Sequence, residues 1–78
     1  MTSFLVNLGD VEQVKSFVAA AGQIACDVDV QADLYLVDGK SIMGIFSLDR
    51  TKPVTVQVHG DETVAQSLKS SIAHLLVS

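Results

Sequence analysis

Asp10 and Glu12 stand where an apolar segment ended by glycine gives way to a helix-forming one, in the run Gly9-Asp10-Val11-Glu12-Gln13. A helix N-terminus attracts anions because its first N–H groups are unpaired and its macrodipole is positive there. Two carboxylates in that turn take up this role themselves and repel phosphate, so the segment reads as a capped helix start without phosphoryl-transfer capacity. An aspartyl phosphate at Asp10 would need Mg²⁺ ligands and a lysine, and neither is evident. His59 ends a strand on its polar side and His74 lies in the last turn of a helix. Neither precedes a helix as a phosphate acceptor should, and no further ligands converge on them to make a metal site. Asp27 and Asp29 share one face of a strand, with Asp33 and Asp38 following, but the loop geometry of a Ca²⁺ site is missing and they read as solvated carboxylates. Cys26 falls on an inward register, which favours an inert thiol.

Ser41 is the best placed of the remaining polar groups. Followed by Ile42, Met43 and Gly44, it can cap a short helix, and with Lys40 beside it an added negative charge is tolerated there. In the same segment Ile45 and Leu48 can face a core at helical spacing, which leaves Ile42, Met43 and Phe46 partly exposed. Methionine and aromatic side chains are common anchors at protein interfaces.

These residues are positioned by a regular alternation of elements. Phe4 to Leu8 reads as a strand with Phe4, Val6 and Leu8 on one face, ended by Gly9. Asp10 with Gln13 forms a capping-box pair ahead of Val11, Val14, Phe17, Val18 and Ala21, and Gly22 closes that helix. Ile24, Cys26, Val28 and Val30 then alternate with polar residues as a second strand. Ala32-Asp33 supplies a turn into a third strand, Leu34 to Val37, closed by Asp38-Gly39. One or two helical turns follow Ser41. Val54, Val56 and Val58 mark the last strand, and Asp61 caps a final helix whose Val64, Leu68, Ile72, Leu75 and Leu76 form an apolar stripe. The order is βαββαβα. Each strand has one apolar face and each long helix one apolar stripe. The fold class is therefore α+β, an open-faced two-layer sandwich with a four-stranded antiparallel sheet and three helices on one face, formed by a single domain over residues 1–78.

Composition narrows the functional classes. The chain has 78 residues, with five Lys plus Arg against nine Asp plus Glu, a formal net charge of −4. The cations are scattered among carboxylates, so no phosphate-backbone footprint can form and nucleic acid is not an expected partner. With 49% apolar residues, 18% charged and 5% aromatic, the core is built of Val, Leu, Ile and Ala. The single cysteine allows no internal disulfide, no basic leader precedes Phe4, and no apolar run is long enough to span a bilayer. A cytoplasmic protein with no membrane partner is expected.

The segment Lys40-Ser41-Ile42-Met43-Gly44-Ile45-Phe46-Ser47-Leu48 resembles the regulatory segment of HPr, the histidine-containing phosphocarrier family of the bacterial sugar phosphotransferase system. The element order, the strand at Asp27-Val28, the strand Val54 to Val58 and the acidic cap of the last helix fall where that family has them, so the resemblance spans the whole chain. The family carries its phosphoryl group on a His in a Gly-x-His-x-Arg-Pro-like turn. Counting back from Ser41, Asp10 occupies the His position, Glu12 the Arg position and Gln13 the Pro position. The resemblance thus implies a member lacking the phosphorylatable His, with no catalytic residue, metal or cofactor. It implies phosphorylation of Ser41 by an ATP-dependent kinase and docking of proteins on Ile42, Met43 and Phe46. The partners implied are phosphotransferase-system enzymes, the Ser kinase or transcriptional regulators, bound by a monomer. A phosphocarrier still active through an unusual acceptor is the alternative.

Overall fold

The computed structural model describes residues 2–77, so Met1 and Ser78, the ends of the expected domain, lie outside the described residues. Its elements are β1 (Thr2–Val6), α1 (Val11–Ala21), β2 (Val28–Ala32), β3 (Tyr35–Asp38), α2 (Ile42–Phe46), β4 (Val54–Val58) and α3 (Glu62–Ser71), followed by a 3-10 turn at Ala73–Leu75. The strands form one sheet in the order β1-β4-β2-β3, with every neighbouring pair antiparallel. β4 and β2 are the inner strands; in β4, Val54, Val56 and Val58 alternate strictly, and β-branched side chains at every second position pack well on a pleated surface. All three are buried, as are Val6, Val28 and Val30 from the neighbouring strands.

The helices cover that apolar face. Val14, Phe17 and Ala21 of α1, Ile45 of α2 and Ala65 and Leu68 of α3 are buried against it. No buried side chain among the described residues is polar or charged. Fully burying a side chain such as Phe17 or Leu68 stabilises by about 1.5–3 kcal/mol, and a domain this small depends on each of them. The opposite face carries the cross-strand rows Leu5–Thr55–Gln31–Leu36 and Ser3–Gln57–Asp29–Asp38, as expected for a sheet with one wet side.

Several boundaries differ from the sequence expectation. β1 ends at Val6, and Leu8 is buried beyond the strand, because the chain leaves β4 there: the Asn7 N–H donates to the Leu75 carbonyl at 2.8 Å. Val11, expected inward, is 50% exposed, since the inward stripe of α1 begins one turn later at Val14. The alternating run from Ile24 is strand only from Val28. Gln23 and Ile24 still donate to Ala20 and Ala21 at the end of α1, and the Ile24 carbonyl takes a hydrogen bond from the Lys40 ammonium at 2.8 Å in place of a ladder partner.

The hairpin turn is Asp33-Leu34, not Ala32-Asp33, because Asp33 takes the left-handed backbone (φ 53°) that Asp tolerates and Ala does not. The predicted β3 therefore moves on by one residue, and Leu34 becomes loop. The last helix stops at Ser71. Ile72 and Leu75 stay buried and Leu76 half-buried, but through the 3-10 turn and a bridge between Val6 and Leu76. Gly39 is required by close packing, since a Cβ there would lie 2.7 Å from Val28 Cγ1 and 2.9 Å from its carbonyl oxygen.

Candidate functional site

The turn that opens α1 is built as a closed hydrogen-bonded box. Asp10 Oδ1 accepts from the Gln13 N–H at 2.8 Å, and the Asp10 N–H donates to Gln13 Oε1 at 3.1 Å. The Asp10 carboxylate thus satisfies one of the free donors that would otherwise receive an external anion. Glu12 lies exposed in the same turn, 3.9 Å from the less but still well exposed Lys15 ammonium, too open to water for the pair to matter much. No imidazole is available here: His59 lies on the outer sheet face, bonded through Nε2 to Asp29 Oδ2 at 2.7 Å, and His74 is exposed in the 3-10 turn.

Arg50 is the residue that sequence reading missed. From the loop after α2 its Nη1 donates to the Leu8 carbonyl at 2.9 Å, and its guanidinium carbon stands 5.2 Å from the centroid of the Phe46 ring. Its Nε is buried without a partner. One side chain therefore ties the turn leading into α1 to the C-terminal end of α2. The contact joins residues 42 positions apart, and no local pattern announces it.

At the other end of α2, Ser41 Oγ accepts from the Gly44 N–H at 3.1 Å, so the expected cap is formed. Gly44 lets this turn lie close on β3, since a Cβ there would stand 3.3 Å from both Ser41 Oγ and Val37 Cβ. The sequence reading placed Lys40 beside Ser41 as a cation that would tolerate phosphate. The Lys40 ammonium is instead engaged with the Ile24 carbonyl. Ile45 and Leu48 are buried, Met43 is 75% exposed, and Ile42 and Phe46 are half-buried against the core.

In the loop that follows, hydrogen bonds from the Thr51 hydroxyl and N–H hold the Asp49 carboxyl below its ordinary range. Asp27, Asp29, Asp38 and His59 line one shallow depression on the outer sheet face. Among the described residues no three His, Cys, Asp or Glu side chains come together as a metal site would require. Cys26 is half-buried.

An antiparallel four-stranded sheet with three helices on one face, each helix capped at its start by a side chain (Asp10, Ser41, Asp61), defines an open-faced α+β sandwich. Its fold is similar to the crystal structure of a phosphocarrier protein HPr from Bacillus anthracis str. Ames, 24% identical over 95% of this chain and 93% of that one, with a TM-score of 0.71. It is equally similar to the crystal structure of HPr-C-His from Thermoanaerobacter tengcongensis, 23% identical over 94% of this chain and 97% of that one, with a TM-score of 0.72. No curated protein matches the sequence significantly. Residues 12–78 match the family model of the phosphotransferase-system HPr component, described by its phosphorylation site, and the chain belongs to the HPr family. Members of this family are phosphocarriers, not enzymes in the ordinary sense. No helix among the described residues is long and apolar enough to cross a membrane.

Proposed function

We propose that this HPr-family domain is a regulatory, protein-binding member that does not carry phosphate on histidine. The observation that supports this reading is the turn before α1. On the count back from Ser41, Asp10 and Glu12 fall where the family pattern has His and Arg, and the Asp10 carboxylate is already bonded to the Gln13 N–H. A phosphoryl group needs a nucleophile that can take and release it and cations that offset its charge. This turn presents carboxylates, and the nearby guanidinium of Arg50 is engaged with the Leu8 carbonyl and the Phe46 ring.

Partner proteins dock on α2. Met43 stands out into solvent with Ile42 and Phe46 half-covered beside it, an apolar anchor next to a switchable hydroxyl. Phosphorylation of Ser41 controls that docking: Oγ attacks the γ-phosphorus of ATP, ADP leaves, and the hydroxyl proton is lost. The product carries up to two negative charges next to Ile42 and can alter binding without unfolding the domain. The partners are proteins of the phosphotransferase system, its Ser kinase or transcriptional regulators, met in the cytoplasm by a monomer. The test is incubation with ATP and a Ser kinase of the HPr system, read by intact mass. One phosphoryl group is expected, absent from Ser41→Ala. A Ser41→Ala protein that is still labelled, or a wild type that is not, overturns the regulatory assignment.

A further inference from the structure

The sheet order leaves β1 and β3 at its edges, and the two are finished differently. The free side of β1 is taken by the C-terminal segment. Val77 donates to the Leu5 carbonyl at 3.1 Å, Asn7 donates to the Leu75 carbonyl, and Val6 bridges Leu76. α2 packs on the inner face of β3, but among the described residues no strand or main-chain segment pairs with its outer edge. Because the Gly39 N–H donates to the Val28 carbonyl at 2.7 Å, the alternation of an antiparallel ladder turns the main-chain groups of Tyr35 and Val37 toward β2. Those of Leu36 point outward, together with the Asp38 N–H.

Three successive side chains at this edge are large, apolar and exposed: Leu34 at 95%, Tyr35 at 72% and Leu36 at 55%. An open edge with such side chains is normally guarded by lysine or proline, and here neither is present. The guard is acidic. Asp33 and Asp38 bracket β3, and Asp29 lies opposite Asp38. The neighbouring basic groups are committed, His59 to Asp29 at 2.7 Å and the Lys40 ammonium to the Ile24 carbonyl at 2.8 Å. A second copy of the chain would bring the same carboxylates to the seam and be repelled, whereas a segment with cations at its ends would pair with them.

We infer that β3 is a second docking edge, distinct from α2, which takes an extended segment of a partner protein with apolar residues between Lys or Arg as a fifth strand of the sheet. Main-chain hydrogen bonds at Leu36 supply the pairing, and the bracketing aspartates supply the selection.

The full chain labelled with ¹⁵N is titrated with a capped heptapeptide of alternating Val and Thr with Lys at both ends, and with the same peptide ending in Glu. The Lys-ended peptide is expected to shift the amides of Leu34 to Asp38 most and to slow hydrogen exchange at Leu36. It should bind about tenfold more tightly than the Glu-ended one at low salt. In Asp33→Asn/Asp38→Asn, which keeps the turn and the Asp38 hydrogen-bond acceptor, that preference should vanish. Leu36→Pro removes a donor that points away from the ladder and should abolish binding. Where it fails to fold, the charge variant still decides. No shift at about millimolar peptide, equal affinity for the two peptides, or shifts centred on α2 overturns the inference. So does concentration-dependent dimerisation through β3 in sedimentation.

Discussion

The reading of Asp10 as a structural cap fixes what its removal must do. In Asp10→Ala the hydrogen bond from the Gln13 N–H at 2.8 Å is lost, and the Gln13 side chain loses the reciprocal arrangement that holds it against the Asp10 N–H at 3.1 Å. An N-cap deletion costs about 1 kcal/mol, and loss of a charge favourably placed at a helix N-terminus adds about 0.3–1 kcal/mol. Relief of repulsion from Glu12, exposed in the same turn, returns at most a few tenths of a kcal/mol. The net loss is about 1–1.5 kcal/mol, which for a domain of this size lowers Tm by roughly 5–10 °C. Asp10→Asn keeps an acceptor oxygen and loses only the charge, so its loss should be about half as large. Thermal melts followed by circular dichroism at neutral pH and low salt measure both. An Asp10→Ala protein melting at or above the wild type would refute the reasoning, because the carboxylate would then be held in place for something other than stability.

Two further outcomes follow from contacts around the same elements. Arg50→Met removes the bond to Leu8 and the stacking on Phe46, together worth about 2–4 kcal/mol, but also removes a buried, unpartnered Nε whose burial costs about 1–3 kcal/mol. The net loss of stability should be about 1 kcal/mol and no more than about 3 kcal/mol, while NMR shifts move at both Gly9–Gln13 and Phe46; shifts confined to the Arg50 loop would contradict the strut. Glu62 is held below the ordinary glutamate value of 4.5 by the hydrogen bonds from the Gln66 amide and the Thr2 hydroxyl to its carboxylate. A lowered folded-state pKa gives stability that is present above 4.5 and is lost as pH falls through the folded value. Thr2→Val should therefore raise the Glu62 titration midpoint in carboxyl NMR and shrink the acid-side loss of stability.

Much of the fold was legible because its local signals agree. Asp10, Ser41 and Asp61 each cap the helix they precede, and Val54, Val56 and Val58 could only be a half-buried strand. What misled was pattern without partners. The inward alternation of Ile24 and Cys26 is real, yet the main chain there is committed to the end of α1 and to Lys40, which no periodicity can reveal. The hairpin register turned on whether Ala32 or Leu34 flanks Asp33 in the turn, and only the left-handed backbone at Asp33 decides it. Leu75 and Leu76 fit a helical stripe and also fit the segment that closes the edge of β1. In the candidate site, the caps and the partial exposure of Ile42, Met43 and Phe46 could be read from spacing. The roles of Arg50 and Lys40 could not, because each reaches a carbonyl far away in sequence, Leu8 and Ile24.

The account turns on whether the turn before α1 can accept a phosphoryl group. The direct measurement is incubation of the full chain with phosphoenolpyruvate and the first enzyme of the phosphotransferase system, followed at once by intact mass spectrometry under conditions that preserve phosphohistidine and acyl phosphate. The account predicts an unchanged mass, with a histidine-bearing HPr labelled in the same tube. A phosphoryl adduct on this chain, mapped to Asp10 or either histidine, would contradict it.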